Sequence, residues 1–308
     1  MIRPTRVLID TDGGQDDAIA ILAALSPGSG LTIEAISTVA GNSGLDVATD
    51  NVARVLGFAR SVGLPAPAIH RGSRRPLVGR DVDRYFDDAD GLPGWPETTA
   101  PIDPDRLGAI DRLRDLAWPA TICALGPLTN IAFALMADPG LVERIERIVL
   151  MGGSIGSGNI TDAAEFNILM DPEAAEIVFS AGLDVVVVPS DTCERARFTA
   201  DDIDQLASAP SPLAAPVGAL LRAMGNAHDH ERYQRHGTPV YDLCAVMYLI
   251  APDLFETRPA SVEVECSDLR QRGRTDFGFD DPTGSLVDVV TDIDGPAFRA
   301  AVHAVLRG

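Results

Sequence analysis

The sequence contains no lysine, because all 25 of its basic residues are arginine. Several classes of enzyme need a lysine side chain for their chemistry. They include nucleotide hydrolases with a Walker-type phosphate loop, enzymes that form a Schiff base, and phosphotransferases in which lysine assists. These functions are excluded for this chain.

Runs of positive charge are also missing. The formal net charge is −20 at pH 7, and no basic stretch could neutralise the phosphates of a nucleic acid. A small molecule or a metal ion is therefore a better partner than nucleic acid. The four cysteines are far apart and form no CxxC pair, which is typical of neither a zinc site nor a disulfide framework. We interpret them as buried thiols.

Long hydrophobic runs are absent as well. No stretch approaches the roughly 18 consecutive apolar residues of a membrane-spanning helix. The hydrophobic share of 46% is that of a globular protein. The N-terminal residues Met1–Pro4 lead directly into a predicted strand, without a basic and then apolar leader. We therefore expect a soluble, cytoplasmic protein with no membrane partner.

Negative charge, in contrast, is concentrated near the N-terminus. A predicted buried strand, Arg6–Ile9, and a predicted buried helix, Ala18–Leu25, enclose four aspartates within eight positions: Asp10, Asp12, Asp16 and Asp17. Like charges so close together repel each other unless a cation or shared protons hold them. The cluster therefore predicts a site for a hard divalent metal ion at the carboxyl end of the first strand.

Apolar, β-branched runs alternate with helical segments along the chain. The predicted strands are Val7–Asp10, Thr32–Ala40, Ala120–Leu125, Ile148–Met151 and Asp184–Pro189, and the helices between them include Asp46–Arg60, Leu128–Met136 and Asp171–Ala181. This alternation predicts an α/β fold with an open, mostly parallel central sheet flanked by helices, in a single domain over residues 1–308. Ligands of such sheets bind at the carboxyl ends of the strands.

The C-terminal part has a different pattern. Three short runs, Val262–Cys266, Thr275–Phe279 and Leu286–Thr291, predict a small antiparallel extension that is closed by a helix over Pro296–Leu306. Residues 72–101 are rich in Asp, Gly and Pro and have little periodicity. We predict that they form a long mobile loop that acts as a lid.

The aspartate cluster alone fits two kinds of enzyme. An Asp-x-Asp-Gly sequence after a hydrophobic strand also opens the haloacid-dehalogenase phosphatases, in which the first aspartate is a nucleophile. Those enzymes need a downstream lysine to neutralise the phosphoryl charge. The absence of lysine disfavours this interpretation.

Five further motifs favour a metal and sugar site. In chain order, the six motifs are Asp10–Ala18, Val39–Asn42, Gly126–Asn130, Leu150–Gly153, Ala164–Asn167 and Asp171–Ala175. Together they resemble the nucleoside hydrolases, N-ribohydrolases that prefer inosine, uridine or related nucleosides. The resemblance extends from Val7 to about Ala251. It implies Ca²⁺-dependent hydrolysis of the N-glycosidic bond of ribonucleosides in nucleoside salvage, by a homodimer or homotetramer, through an oxocarbenium-like transition state.

The same resemblance implies roles for individual residues. Asp12 would be a metal ligand and the general base for water. Asp17, Asp242 and the main-chain carbonyl of Leu125 would complete the protein ligands of Ca²⁺, which prefers oxygen donors. Asp16 would bind ribose hydroxyls.

Other positions of the family would contact the sugar. They fall on Asn42, Met151, Asn159, Glu165 and Asn167. Amides and carboxylates suit a ring with several hydroxyls, although Asn and Glu in glycine-rich loops otherwise cap turns. Asp10 is more simply interpreted as a structural partner that orients the loop.

The chain departs from the family pattern around the nucleobase. The third carboxylate normally follows a histidine, but here Tyr241 precedes Asp242, and a second histidine is absent from the loop at residues 87–92. Tyr241 would stack on the base or donate its proton. The segment 227–236 contains His230, Tyr233 and His236, which would recognise the base or lie on a solvated helix face.

The sequence leaves the substrate open. It does not choose between purines and pyrimidines, or exclude another riboside such as nicotinamide riboside. The missing histidines also allow a non-catalytic or altered-specificity protein that binds nucleoside or metal on the same scaffold.

Overall fold

Nine strands form one continuous sheet in the order β3-β2-β1-β4-β5-β6-β9-β7-β8. The computed structural model describes residues 5–79, 92–93, 95–96, 102–117, 119–227, 236–280 and 282–307. The strands are β1 (Thr5–Thr11), β2 (Leu31–Thr38), β3 (Ala68–Arg71), β4 (Ala120–Ala124), β5 (Ile145–Met151), β6 (Val185–Val188), β7 (Phe255–Val264), β8 (Thr275–Gly278) and β9 (Leu286–Ile293). All neighbouring strands are parallel except β7, which is antiparallel to both β9 and β8.

Helices cover both faces of this sheet. They are α1 (Gln15–Leu25), α2 (Leu45–Ser61), α3 (Ala109–Arg114), α4 (Thr129–Ala137), α5 (Phe166–Met170), α6 (Pro172–Ser180), α7 (Ser190–Cys193), α8 (Ala200–Ala207), α9 (Ala214–Ala227), α10 (Tyr241–Ile250) and α11 (Gly295–Arg307). Alternate strand residues face opposite sides, so Ile9 packs with α1, α2 and α10 while Leu8 packs with α3, α4 and α6. Burial on both sides explains continuous apolar strands such as Val185–Val188.

The predicted fold class is confirmed, with three corrections to the strands. The C-terminal strands do form antiparallel pairs, but β9 is also parallel to β6, so the extension continues the main sheet. Strand β7 begins at Phe255 rather than Val262, because its first half is charged and exposed and lacks an apolar alternation. Strand β3 was not predicted, since four residues at a sheet edge give almost no periodic signal.

Only part of the predicted lid can be described. Residues 80–91, 94 and 97–101 lie outside the described residues, so its mobility stays a prediction. Within the segment, Leu92 and Trp95 are buried. The Trp95 ring packs edge-on against Phe58, with ring centroids 5.4 Å apart. The ring contact places Trp95 against helix α2. Among the described helices, none has the length and apolar character to cross a membrane.

Candidate active site

Carboxylates from two distant parts of the chain meet at the carboxyl end of the sheet. Asp12 directly follows β1, Asp16 and Asp17 lie in the first turn of α1, and Asp242 lies in the first turn of α10. One carboxylate oxygen from each of Asp16, Asp17 and Asp242 lies within 4.8 Å of the other two. Asp12, Asp17 and Asp242 are buried, whereas Asp16 is half-buried. The predicted clustering of acidic groups is therefore present, but this group of three contains Asp16, which was predicted to bind ribose, and does not contain Asp12, which was predicted to bind the metal.

A glycine makes this turn possible. Gly13 has a φ of 69°, which is in the left-handed region that side chains rarely adopt. A Cβ at this position would lie 2.6 Å from the carbonyl oxygen of Ala48 in α2. The side chain of Asn51 in the same helix donates a hydrogen bond to the Gly13 carbonyl at 3.0 Å. Helix α2 therefore holds the aspartate loop in place.

The electrostatics of the cluster favour a bound cation. Burial, followed by the charge of Asp17, raises the pKa of Asp16 to about 7. Burial and the neighbouring carboxylates also raise the pKa values of Asp12 and Asp242 well above their ordinary range. A hard divalent cation would lower the free energy of the ionised carboxylates by offsetting both effects. The donor set therefore fits such an ion.

Asp12 is oriented by Asn42 in the loop after β2. The Asn42 backbone N–H donates to Asp12 Oδ2 at 2.8 Å, and its side-chain amide donates to Oδ1 at 2.9 Å. A Cβ on Gly41 would collide with the Asp12 carboxylate. Asn42 was predicted to contact the sugar; its observed contact is with the predicted general base.

Asp17 is also held within its own loop. Its Oδ2 accepts a hydrogen bond from the Gly14 backbone N–H at 2.8 Å, and its Oδ1 accepts one from the Thr11 hydroxyl. Acidic side chains are stabilised in the first turn of a helix, where the N–H groups and the helix dipole are positive. The hydrogen bonds at the start of α1 thus restrict the side chain of Asp17 to one position among the carboxylates.

Asp10 has other partners. Its Oδ1 accepts hydrogen bonds from the Ser37 hydroxyl and, at 2.8 Å, from the Asn130 side chain. Burial outweighs these bonds and raises the pKa of Asp10 to about 6. Asp10 therefore links β1 to β2 and α4. This agrees with the structural role that was predicted for it.

Asn130 belongs to one of the six motifs, and its side chain connects α4 to β1, to β2 and to the chain after β3. Its Nδ2 donates to Asp10 Oδ1 and to the carbonyl of Thr38 at 3.1 Å, while its Oδ1 accepts from the backbone N–H of Ser73 at 2.7 Å. The side chain is completely buried.

We expect Asn130→Ala to lower the free energy of unfolding by about 2–4 kcal/mol, because buried partners are left without a hydrogen bond. Urea unfolding measures this change. The control is Gln271→Ala, which removes a half-exposed amide that accepts from Arg274 at 2.9 Å. The expectation is wrong if both variants lose the same free energy of unfolding.

The loop after β4 approaches the aspartates through its backbone. The Leu125 N–H donates to the Asp10 carbonyl at 2.7 Å. The Asn167 side chain donates to the carbonyl of Leu125 and to that of Met151, both at 3.0 Å. Met151 is buried, with its sulfur 3.5 Å from the same Asn167 nitrogen. Leu125, Met151 and Asn167 therefore form one contiguous part of the site.

Two other predicted sugar residues cap local structure. Glu165 is buried and accepts hydrogen bonds from the N–H groups of Gly153, Asn167 and Ile168 at 3.0–3.2 Å. Burial outweighs these bonds and raises the pKa of Glu165 to about 7. Asn159 is exposed, and its Oδ1 accepts from the N–H of Phe166 at 3.0 Å. Their contact with ribose stays a prediction.

The predicted base-recognition residues are only partly described. Tyr241 is half-buried and begins α10, next to Asp242, and its hydroxyl donates to Glu194 Oε1 at 2.8 Å. His236 is exposed. His230 and Tyr233 lie outside the described residues. Glu194 was not predicted; it directly follows α7, and only the polar residues after the carboxyl end of β6 could have pointed to it.

Comparisons with known proteins agree with this geometry. Residues 7–300 match the family model described as inosine-uridine preferring nucleoside hydrolase. The chain is 37% identical over 303 residues to the pyrimidine-specific ribonucleoside hydrolase RihA of Enterobacter sp. (strain 638), covering 95% of this chain and 94% of the relative. It is 36% identical to RihA of Escherichia coli O7:K1, with 95% of each chain covered.

Solved structures give the same fold. The plant nucleoside hydrolase PpNRh1 superposes with a TM-score of 0.90 at 31% identity, covering 99% of each chain. A purine-preferring ribonucleoside hydrolase from Gardnerella vaginalis superposes with a TM-score of 0.89 at 24% identity, covering 99% of this chain and 98% of the other. The relatives named here differ in the bases they prefer.

Proposed function

Because this chain belongs to the family of inosine-uridine preferring nucleoside hydrolases, we propose that it is a Ca²⁺-dependent hydrolase of pyrimidine ribonucleosides. The protein is an enzyme that hydrolyses N-glycosyl compounds. The relatives that match nearly the whole chain are named ribonucleoside hydrolases. The observation that supports a metal-dependent mechanism is the cluster of carboxylate oxygens within 4.8 Å. The pyrimidine preference is supported by the two RihA relatives.

Asp12, Asp17, Asp242 and the Leu125 carbonyl would hold the cation. When bound, the ion supplies Lewis acidity and a point at which water and ribose hydroxyls are oriented. Asp16 lies in the same group of carboxylates and, by resemblance to the family, binds a ribose hydroxyl. Oxygen donors without nitrogen or sulfur suit Ca²⁺ better than zinc.

Asp12 acts as the general base. It accepts a proton from the water that attacks ribose C1′, while the bond between C1′ and the base nitrogen breaks. Asn42 holds both Asp12 oxygens and so fixes the direction of proton transfer. Positive charge that develops on the sugar is stabilised by the surrounding carboxylates.

The substrate preference is tested with a panel of nucleosides. We expect kcat/KM for uridine and cytidine to exceed that for inosine and guanosine by about tenfold or more. A pocket whose shape fits one class of base can discriminate by this factor. Release of reducing sugar measures each rate. Nicotinamide riboside belongs in the same panel, because the sugar contacts alone do not separate it from an ordinary nucleoside. Faster turnover of purine nucleosides would contradict the pyrimidine preference.

The segment before α10 is proposed to recognise the base. We expect at least one of His230→Ala, Tyr233→Phe and His236→Ala to reduce kcat/KM by about tenfold, the typical size of one lost substrate contact. His303→Ala, in α11, is the control. Steady-state rates with uridine provide the measurement, and normal rates in all three variants would refute this role.

We also propose, from the resemblance to the family, a cytoplasmic homodimer or homotetramer that acts in nucleoside salvage. The net charge of −20 agrees with small-molecule rather than nucleic-acid substrates.

A further inference from the structure

The hydroxyl of Tyr241 is directed to a carboxylate. It donates a hydrogen bond to Glu194 Oε1 at 2.8 Å, across 47 positions of the chain. The side chain of Tyr241 also packs against the hydrophobic core on the α1 and α2 side of the sheet. A phenol proton that is shared with Glu194 is not directed to a leaving group. This contact therefore favours a role in which the ring of Tyr241 packs against the nucleobase over one in which its hydroxyl donates a proton.

Glu194 is in turn held by Arg197. The two side chains form an ion pair in which the Arg197 side chain is only 10% exposed. Charge-assisted hydrogen bonds with so little access to water are stronger and more rigid than exposed ones. The carboxylate that accepts from Tyr241 therefore has a fixed position.

Arg197 extends this chain of contacts to the backbone before α10. Its Nη1 donates to the carbonyl of Gly237 at 2.6 Å. Phe198 and Thr238 exchange two backbone hydrogen bonds beside it, at 2.8 and 2.7 Å. Gly237 has a φ of 86°, and a Cβ there would lie 2.7 Å from the carbonyl oxygen of Phe198. The chain around Arg197 and the chain before Tyr241 are thus joined.

We infer that Glu194, backed by Arg197, is a positioning residue that holds the ring of Tyr241 as one wall of the nucleobase site. The inference rests on the proposed function, because it assigns the base to the space beside Asp242. Arg197 also fixes Gly237, directly after the segment that contains His230, Tyr233 and His236. One arginine therefore contacts both the carboxylate that accepts from Tyr241 and the backbone at Gly237.

A double-mutant cycle tests this inference. The variants are Tyr241→Phe, Glu194→Ala and the double variant, with Glu194→Gln as the conservative change that retains a hydrogen-bond acceptor. Glu173→Ala is a matched control, because Arg272 bridges Glu173 and the Cys266 carbonyl, as Arg197 bridges Glu194 and Gly237. The side chains of Glu173 and Glu194 are 23% and 28% exposed. Values of kcat and KM for uridine and inosine, and the thermal unfolding temperature, are measured for each.

We expect Tyr241→Phe and Glu194→Ala each to lower kcat/KM by about tenfold, and the double variant to lose about tenfold rather than a hundredfold, because both changes break the same contact. Glu194→Gln should recover to within about threefold of the wild type, and Glu173→Ala should stay within about twofold even if its unfolding temperature falls.

Three results would overturn the inference while the wild-type protein is active. They are a hundredfold loss in the double variant, equal losses in Glu194→Ala and Glu173→Ala, or no recovery in Glu194→Gln. A wild-type protein that releases no ribose from any ribonucleoside would instead overturn the proposed function, and the inference with it.

Discussion

The substitution Asp12→Asn is expected to lower kcat by about a thousandfold or more, since a positioned general base typically contributes 10²–10⁴-fold and this residue is also a proposed metal ligand. An amide cannot accept the proton from water. It also presents an N–H group to Asn42, which donates to both oxygens of the native carboxylate. The loss therefore affects proton transfer as well as the orientation of the side chain.

The fold of Asp12→Asn should persist. One hydrogen bond from Asn42 is lost, but one negative charge is also removed from a buried group of like charges, and the two effects oppose each other. Thermal unfolding of the metal-free variant measures the balance. Asp191→Asn is the control, because Asp191 holds the backbone of Ile155 and Gly156 outside the carboxylate group. Retention of more than about a tenth of wild-type kcat in Asp12→Asn would remove Asp12 as the base.

Removal of divalent cations should have an effect of similar size. We expect a chelator to abolish turnover and to lower the unfolding temperature, and added Ca²⁺ to reverse both. Two effects lower the unfolding temperature when the ion is removed. A ligand at 100 times its dissociation constant stabilises the folded state by about 2.7 kcal/mol, and this stabilisation is lost. The repulsion among Asp16, Asp17 and Asp242 also returns.

Two controls make this experiment specific. Mg²⁺ at the same concentration should restore less activity, because it demands a stricter octahedral geometry than Ca²⁺. In Asp242→Asn, Ca²⁺ should raise the unfolding temperature less than in the wild type. Full activity in excess chelator would contradict metal dependence, whereas equal recovery with both ions would contradict only the preference for Ca²⁺.

Local patterns in the sequence predicted much of this molecule. The apolar run before Asp10 and the one after Asp17 are strand β1 and helix α1, because each has the periodicity of its element. Parallel strands share one carboxyl edge, so the loops of Asp12 and Asn42 were predicted at the same edge, and the pairing of β1 with β2 makes them neighbours. These predictions depend only on the periodicity of short segments and on the rule that parallel strands share a carboxyl edge.

Contacts between distant side chains could not be predicted in the same way. Nothing near Glu194 in the sequence specifies that its acceptor faces Tyr241. Likewise, the sequence does not specify that the amide of Asn42 donates to Asp12, and the contact of Asn42 with the sugar stays a prediction. The residues were visible in the sequence, but which group each one contacts depends on how separate elements pack.

The position of Asp242 has a consequence for the order of folding. Asp12, Asp16 and Asp17 are close neighbours in the chain, but the fourth carboxylate follows more than 200 residues later. Strand β1 itself pairs with β4, whose register partners begin at Thr121. Contacts of such long sequence separation form slowly, because loop closure must occur before they stabilise the chain. We therefore expect the proposed ion site to assemble late, so that occupancy by the ion would report a fully folded molecule rather than a nucleus from which folding starts.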